Sequence, residues 1–170
     1  MSFDSKRIIF PILAIAMVSL FAQLVTDVHA VPSEVFIPHI QPWSIAFDSA
    51  GNLYVADFTL DAVLQYDHTG NLLDGDFITG LSSPDSIVFD SAGNLYLVDN
   101  SFDRVRQYDP TGNLLDGNFV AGPGFPLSMA FDSAGNLYVA ENSGTVLQYD
   151  PAGNLLDAEF VAGLGSPTSI

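Results

Sequence analysis

FDSAGNLY stands at Phe47–Tyr54 and is written again, letter for letter, at Phe89–Tyr96 and Phe131–Tyr138. The copies lie 42 residues apart, and the text around them repeats as well. Pro42 to Ser83 and Pro84 to Phe125 match at 26 of 42 positions, and residues 126–166 restate the unit with one residue fewer. A fourth copy begins at Pro167 and runs to Ile170. A period of this length is the signature of a repeat architecture, and it outranks any local reading.

Each copy holds four short segments rich in Val, Ile, Leu, Phe and Tyr. In the first copy they are SIAF, NLYVA, AVLQY and NLLDGDFI. Turn signals separate them, so they read as strands. Asp-Ser-Ala-Gly-Asn joins the first strand to the second. Asp-x-x-Gly-Asn joins the third to the fourth, at Asp67–Asn71, Asp109–Asn113 and Asp150–Asn154. An Asp at the first turn position accepts bonds from the turn amides. A Pro at the second suits the φ of a type I turn. A Gly at the fourth takes the positive φ of a bulged hairpin. The other reading of these turns is a calcium loop, but Ala50, Ala92 and Ala134 stand where a third-position oxygen ligand is required. Four antiparallel strands per repeat of about forty residues make a propeller blade.

The stretch P-x-S-I-A-F-D-S-A-G-N-L-Y-V-A-D resembles the NHL repeat. More loosely it is similar to gluconolactonase-like and streptogramin-lyase-like propellers. The resemblance runs from Pro42 to Ile170. It implies an all-β fold: a partial β-propeller of about three four-stranded blades, with split-blade strands. One such strand is expected at Val35–Ile37, completing a blade whose first strand starts at Pro167. Three blades fall short of the usual four to eight. An open arc leaves two apolar faces wet, so the expectation is either a homodimer that closes a six-bladed ring or aggregation.

The first thirty residues are different. Lys6 and Arg7 precede an uncharged stretch, Ile8 to Val25, and Val28-His29-Ala30 offers a small-residue cut site. This is the pattern of an N-terminal signal helix removed after Ala30, with residues 31–170 left as the propeller segment outside the cytoplasm. The alternative is an uncleaved anchor, since 18 apolar residues border on spanning length. Beyond Ala30 only Arg104 and Arg106 are basic, against a whole-chain formal charge of −16. That balance argues against nucleic acid and anionic membranes as partners, and leaves a protein or a neutral or cationic ligand. With no Cys there is no disulfide, thiolate nucleophile or cysteine metal site.

Comparing the copies with one another locates the expected site. The hairpin turns hardly vary. The differences gather in the loops between second and third strands and in the junctions between blades, which share one rim in propellers of this family. Variable loops on a fixed scaffold are where binding is expected. The candidates are Trp43, Asp57, Asp61, Asp85, Asp99, Asn100, Asp103, Arg104, Glu141 and Asn142. Asp57, Asp99 and Glu141 share one phase; they would either converge on a cation such as calcium or accept bonds from their own loops. Trp43 would pack between blades or offer a stacking surface. Arg104 and Arg106 would pair with acids of neighbouring blades or meet an anionic ligand.

Near-identical copies supply few of the distinct roles that catalysis needs, so the expected function is a non-enzymatic binding or scaffold module. The alternative is part of a lactonase-like or lyase-like enzyme. The resemblance offers two checks on it. Lactonase-like propellers carry a metal-binding Asn after the Pro, where this chain has Trp43, Asp85, Leu127 and Thr168. Lyase-like ones need a rim His, for which only His39 and His68 remain beyond the signal.

Overall fold

A computed structural model describes residues 40–165 and 167. The expected signal segment, the strand at 35–37, His39, Ser166 and residues 168–170 lie outside the described residues. Among the described ones there are three four-stranded antiparallel sheets, each in sequential order. The first is β1 (Pro42–Phe47), β2 (Leu53–Asp57), β3 (Ala62–Tyr66) and β4 (Leu72–Ile78). The second is β5 (Pro84–Phe89), β6 (Leu95–Asp99), β7 (Arg104–Tyr108) and β8 (Leu114–Ala121). The third is β9 (Pro126–Phe131), β10 (Leu137–Glu141), β11 (Val146–Tyr149) and β12 (Leu155–Val161). One 3-10 turn, Asn100–Phe102, follows β6. First strands neighbour each other, β1 against β5 and β5 against β9, as blades of a propeller place them.

The octet owes its constancy to two jobs, a turn and a seam. In the turn, the Asp48 carboxylate accepts the Ala50 and Asn52 amides, both at 2.9 Å, and the Asn52 side-chain amide at 2.8 Å. Gly51 closes the hairpin at φ +86°. The same pattern recurs at Asp90, Asp132, Asp67, Asp109 and Asp150. The turn's own N–H groups occupy these carboxylates, which accounts for both Asp and Asn without a bound ion.

In the seam, Tyr54 lies between two phenylalanines. Phe77 of its own blade is 5.0 Å away, centroid to centroid, and Phe89 of the next blade 4.9 Å. Tyr96 lies likewise between Phe119 and Phe131, at 4.9 and 4.8 Å. The first and last letters of the octet therefore meet across each seam, as edge-to-face pairs. Each Tyr hydroxyl is tied to the turn Asp and to a Gln on the third strand, Gln65 to Tyr54 at 2.6 Å. Two apolar clusters fill the two seams. One joins Ala56 and Val63 to Ile87 and Leu97; the other joins Val98 and Val105 to Met129 and Val139.

The turns also set a pH dependence. The Thr69 hydroxyl and Asn71 hold the Asp67 carboxyl well below the usual carboxylate range, and Asn113 and Thr111 do the same for Asp109. Asn136 and Asn154 lower Asp132 and Asp150. A depressed folded pKa gives stability that is present above the ordinary value of 3.8 and lost as pH falls below it. Urea midpoints are expected to hold steady above that value and to drop progressively below it. A midpoint unchanged from pH 6 to pH 2.5 would contradict the turn bonding.

A candidate ligand cleft at the first seam

The β2–β3 and β6–β7 loops are braced to the junctions between blades by two aspartates in left-handed backbone. Asp61, at φ +51°, accepts the Ser83 amide at 3.0 Å. Asp103, at φ +48°, accepts the Gly124 and Phe125 amides at 3.1 and 2.9 Å. Short polar Asp tolerates this region better than most residues. The bracing forces Ser83 to φ +56° and Phe125 to φ +62°. Positive φ is a steric outlier for a residue as bulky as Phe125.

Between these braces a cleft of about 290 Å³ opens on the rim. Trp43 and Phe58 wall it from the first blade, with rings 5.1 Å apart and tilted by 40°. Phe125, Ser83, Pro84, Asp85, Asn100 and Ser101 complete the lining. The Asp85 carboxylate accepts the Asn100 side-chain amide at 3.1 Å. Burial pushes its pKa up, against the pull of that bond. The Asn100 side-chain oxygen Oδ1 is buried and unpartnered. The Ser101 hydroxyl donates to that of Ser83 at 3.2 Å. The site thus offers three exposed aromatic faces around one half-buried carboxylate, suited to stacking and to accepting bonds or positive charge.

Trp43, Asp85 and Asn100 of the sequence candidates meet here. Trp43 is 59 % exposed and leans on Phe58 of its own blade's loop. Asp57 and Asp99 are fully buried behind the rim. Asp57 accepts the Thr59 and Leu60 amides of its own loop, both at 2.8 Å. Asp99 accepts the Ser82 amide at 3.1 Å. Glu141 accepts the Ser143 hydroxyl at 2.9 Å, and the Asn142 amide bonds Phe125 oxygen at 3.0 Å; both belong to the second seam. Among the described residues no group of three or more His, Cys, Asp or Glu is placed to hold a metal, so these three acids do not gather as a ligand set.

Arg104 and Arg106 correct the expectation of pairs between blades. Both bind Asp99 of their own blade, Arg104 at 3.4 Å and Arg106 more closely. The register explains it: Arg104 lies directly opposite Asp99 across β6–β7, and Arg106 opposite Leu97, two positions from it along β6. Phe102 covers the Arg104 guanidinium at 4.5 Å from its ring centre. His68 sits in the β3–β4 turn and does not line the cleft.

Phe58, Ser83, Pro84, Ser101 and Phe125 were missing from the sequence candidates. Two of them did carry a signal. Phe58 replaces the Asn of the sister copies at 100 and 142, and Phe125 replaces Ser83 and Ser166. An aromatic side chain in one loop only, where its copies are polar, marks a place freed from the repeat.

No protein-family model matches the chain, and no curated protein matches it. Solved structures do. A streptogramin B lyase superposes with a TM-score of 0.66 at 13% identity, over 80% of this chain and 46% of that one. A nidogen–laminin complex chain gives 0.61 at 20% identity, over 78% and 53%. A gluconolactonase of Xanthomonas campestris gives 0.60 at 18% identity, over 74% and 48%. The chain spans about half the length of these structures. At such identities the likeness shows the fold, a β-propeller, and these neighbours include enzymes and a binding protein alike.

Proposed function

We propose that this chain is an NHL-like propeller segment, outside the cytoplasm, that works as a non-enzymatic binding module with its ligand in the first-seam cleft. One observation carries the reading. Phe125, 64 % exposed, is held in a strained left-handed backbone by Asp103 and turned into a cleft already walled by Trp43 and Phe58. Strain of this kind costs about 1–3 kcal/mol and persists where the surroundings enforce it, often at binding sites. Three aromatic faces around Asp85 suit a small neutral or cationic ligand. Among the described residues the lining's two serine hydroxyls, of Ser83 and Ser101, bond each other, which supports binding over nucleophilic chemistry.

Trp43 is the only tryptophan, so its emission reports on the cleft directly. Tetramethylammonium and methyl glucoside serve as cationic and neutral probes, and benzoate as the anionic control. The expected result is a saturable emission change with one of the first two and none with benzoate. Phe125→Gly is expected to weaken that binding about tenfold, or 1.4 kcal/mol, with no loss of stability because glycine accepts the positive φ. Flat titrations with both probes, or equal affinity in the variant, would contradict the reading. Chemical turnover of a bound lactone or lactone-containing peptide would replace it with the enzymatic alternative.

A further inference from the structure

Arg104 and Arg106 stand where the sister blades carry no charge: Ala62 and Leu64 in the first, Thr145 and Leu147 in the third. On the neighbouring outer strand the exchange runs the other way. β4 and β12 carry acids at Asp76 and Glu159, and β8 has Asn118 in that place. Arg104 reaches that residue, donating to Asn118 Oδ1 at 3.4 Å. The blade that holds the arginines therefore lacks the acid that the repeat sets there. Among the described residues Asp99 is the only acid paired with either arginine. One carboxylate faces two guanidinium groups, so one positive charge is left over. Asp116, two residues from Asn118 along β8, does not balance it; its carboxylate accepts the Asn118 backbone amide at 2.8 Å.

The geometry points to a site for a small carboxylate at the edge of the second blade, held by Arg104 and Arg106. Their other contacts are long: Arg104 to Asn118, and Arg106 to the Tyr108 hydroxyl, both at 3.4 Å, past the usual range of about 2.7–3.2 Å. A largely buried charge short of a partner is costly, and an incoming anion relieves that cost. The Arg104 side chain keeps 21 % of its surface open and that of Arg106 12 %, so an anion can reach the pair from solvent. Phe102 lies over both guanidinium groups, 4.5 and 5.9 Å from its ring centre, and forms one wall. The exposed Asn118 side chain adds an amide donor beside them. A carboxylate is the fitting class, because its two oxygens match the planar fork of a guanidinium and the sister blades place one at this position. The chain's charge of −16 repels anions at a distance, but salt screens that field while contact bonds persist. Neither arginine lines the first-seam cleft, so this site is independent of the ligand proposed there.

The arginine Nε–H resonances of isotope-labelled protein report on each guanidinium group. Titration with sodium acetate, with sodium chloride keeping the ionic strength constant, is expected to move those of Arg104 and Arg106 to a plateau. Asn118→Asp returns the acid of the sister blades to this place. It is expected to weaken acetate binding by about tenfold or more, with the fold unchanged because position 118 is exposed. The inference is overturned if acetate moves neither resonance or moves them without saturation. It is also overturned if chloride alone moves them as far, which would mean an adventitious ion only, or if Asn118→Asp binds acetate as tightly as the unaltered protein.

Discussion

Asp99→Ala is expected to lower the stability of the folded chain by about 3–5 kcal/mol, the usual cost of leaving a buried charge without its partner. Asp99 is fully buried and holds two guanidinium groups, those of Arg104 and Arg106. The side-chain Nε of each arginine is already buried without a partner. Alanine at 99 would strand two positive charges beside the apolar seam and release the Ser82 amide as well. The repeat supplies an internal control. Asp57 occupies the same place in the first blade and is equally buried, but it serves only the Thr59 and Leu60 amides and faces no arginine. Asp57→Ala is expected to cost about 1 kcal/mol, the scale of a lost turn cap. Urea unfolding of the two variants, at constant m-value, measures the difference. Equal losses would mean that Asp99 does no more than hold the Ser82 amide, and that the two guanidinium groups add nothing.

Gly112→Ala and Gly153→Ala are expected to cost about 2–5 kcal/mol each, combining left-handed strain with overpacking. Both glycines sit at positive φ in β3–β4-type turns, at +83° and +81°. A Cβ at Gly112 would stand 2.7 Å from the Phe77 carbonyl oxygen, and one at Gly153 2.5 Å from that of Phe119. These turns press on the outer strand of the preceding blade, so a methyl group forces the blades apart. Gly70 holds the same turn position in the first blade, at φ +87°, with open space around its Cα. Gly70→Ala is expected to cost only the conformational part, about 1–2 kcal/mol. Matching losses at 70 and 112 would remove the claim that these glycines set blade spacing.

The fold was legible because the repeat writes its instructions three times. Strand positions, hairpin turns and the role of Asp and Gly in them follow from local chemistry within a few residues. The Asn of Asp-x-x-Gly-Asn was harder, since its side chain closes the turn by bonding the Asp carboxylate, which composition alone does not show. The Phe–Tyr contact was harder still: its two letters stand at the two ends of one octet, yet each meets the other's copy 35 residues away, Tyr54 against Phe89. The cleft was legible only as a rim. Trp43, Phe58, Asp85, Asn100 and Phe125 come from two blades and the junction after the second. What joins them is the left-handed backbone of Asp61, Ser83, Asp103 and Phe125, which recurs at the 42-residue period but is not written in their residue types. Arg106 stands where the sister blades place Leu64 and Leu147. Its partner is fixed by register within one sheet, so a reading that looked to neighbouring blades missed it.

The central claim is that successive copies lean on each other through the Tyr–Phe contact. A double-mutant cycle on Tyr96→Ala and Phe131→Ala, read by urea unfolding, tests it most directly. The account predicts a coupling of about 0.5–1.5 kcal/mol, as for an aromatic pair in contact. Additive losses, with no coupling beyond error, would mean that the two copies fold without this seam.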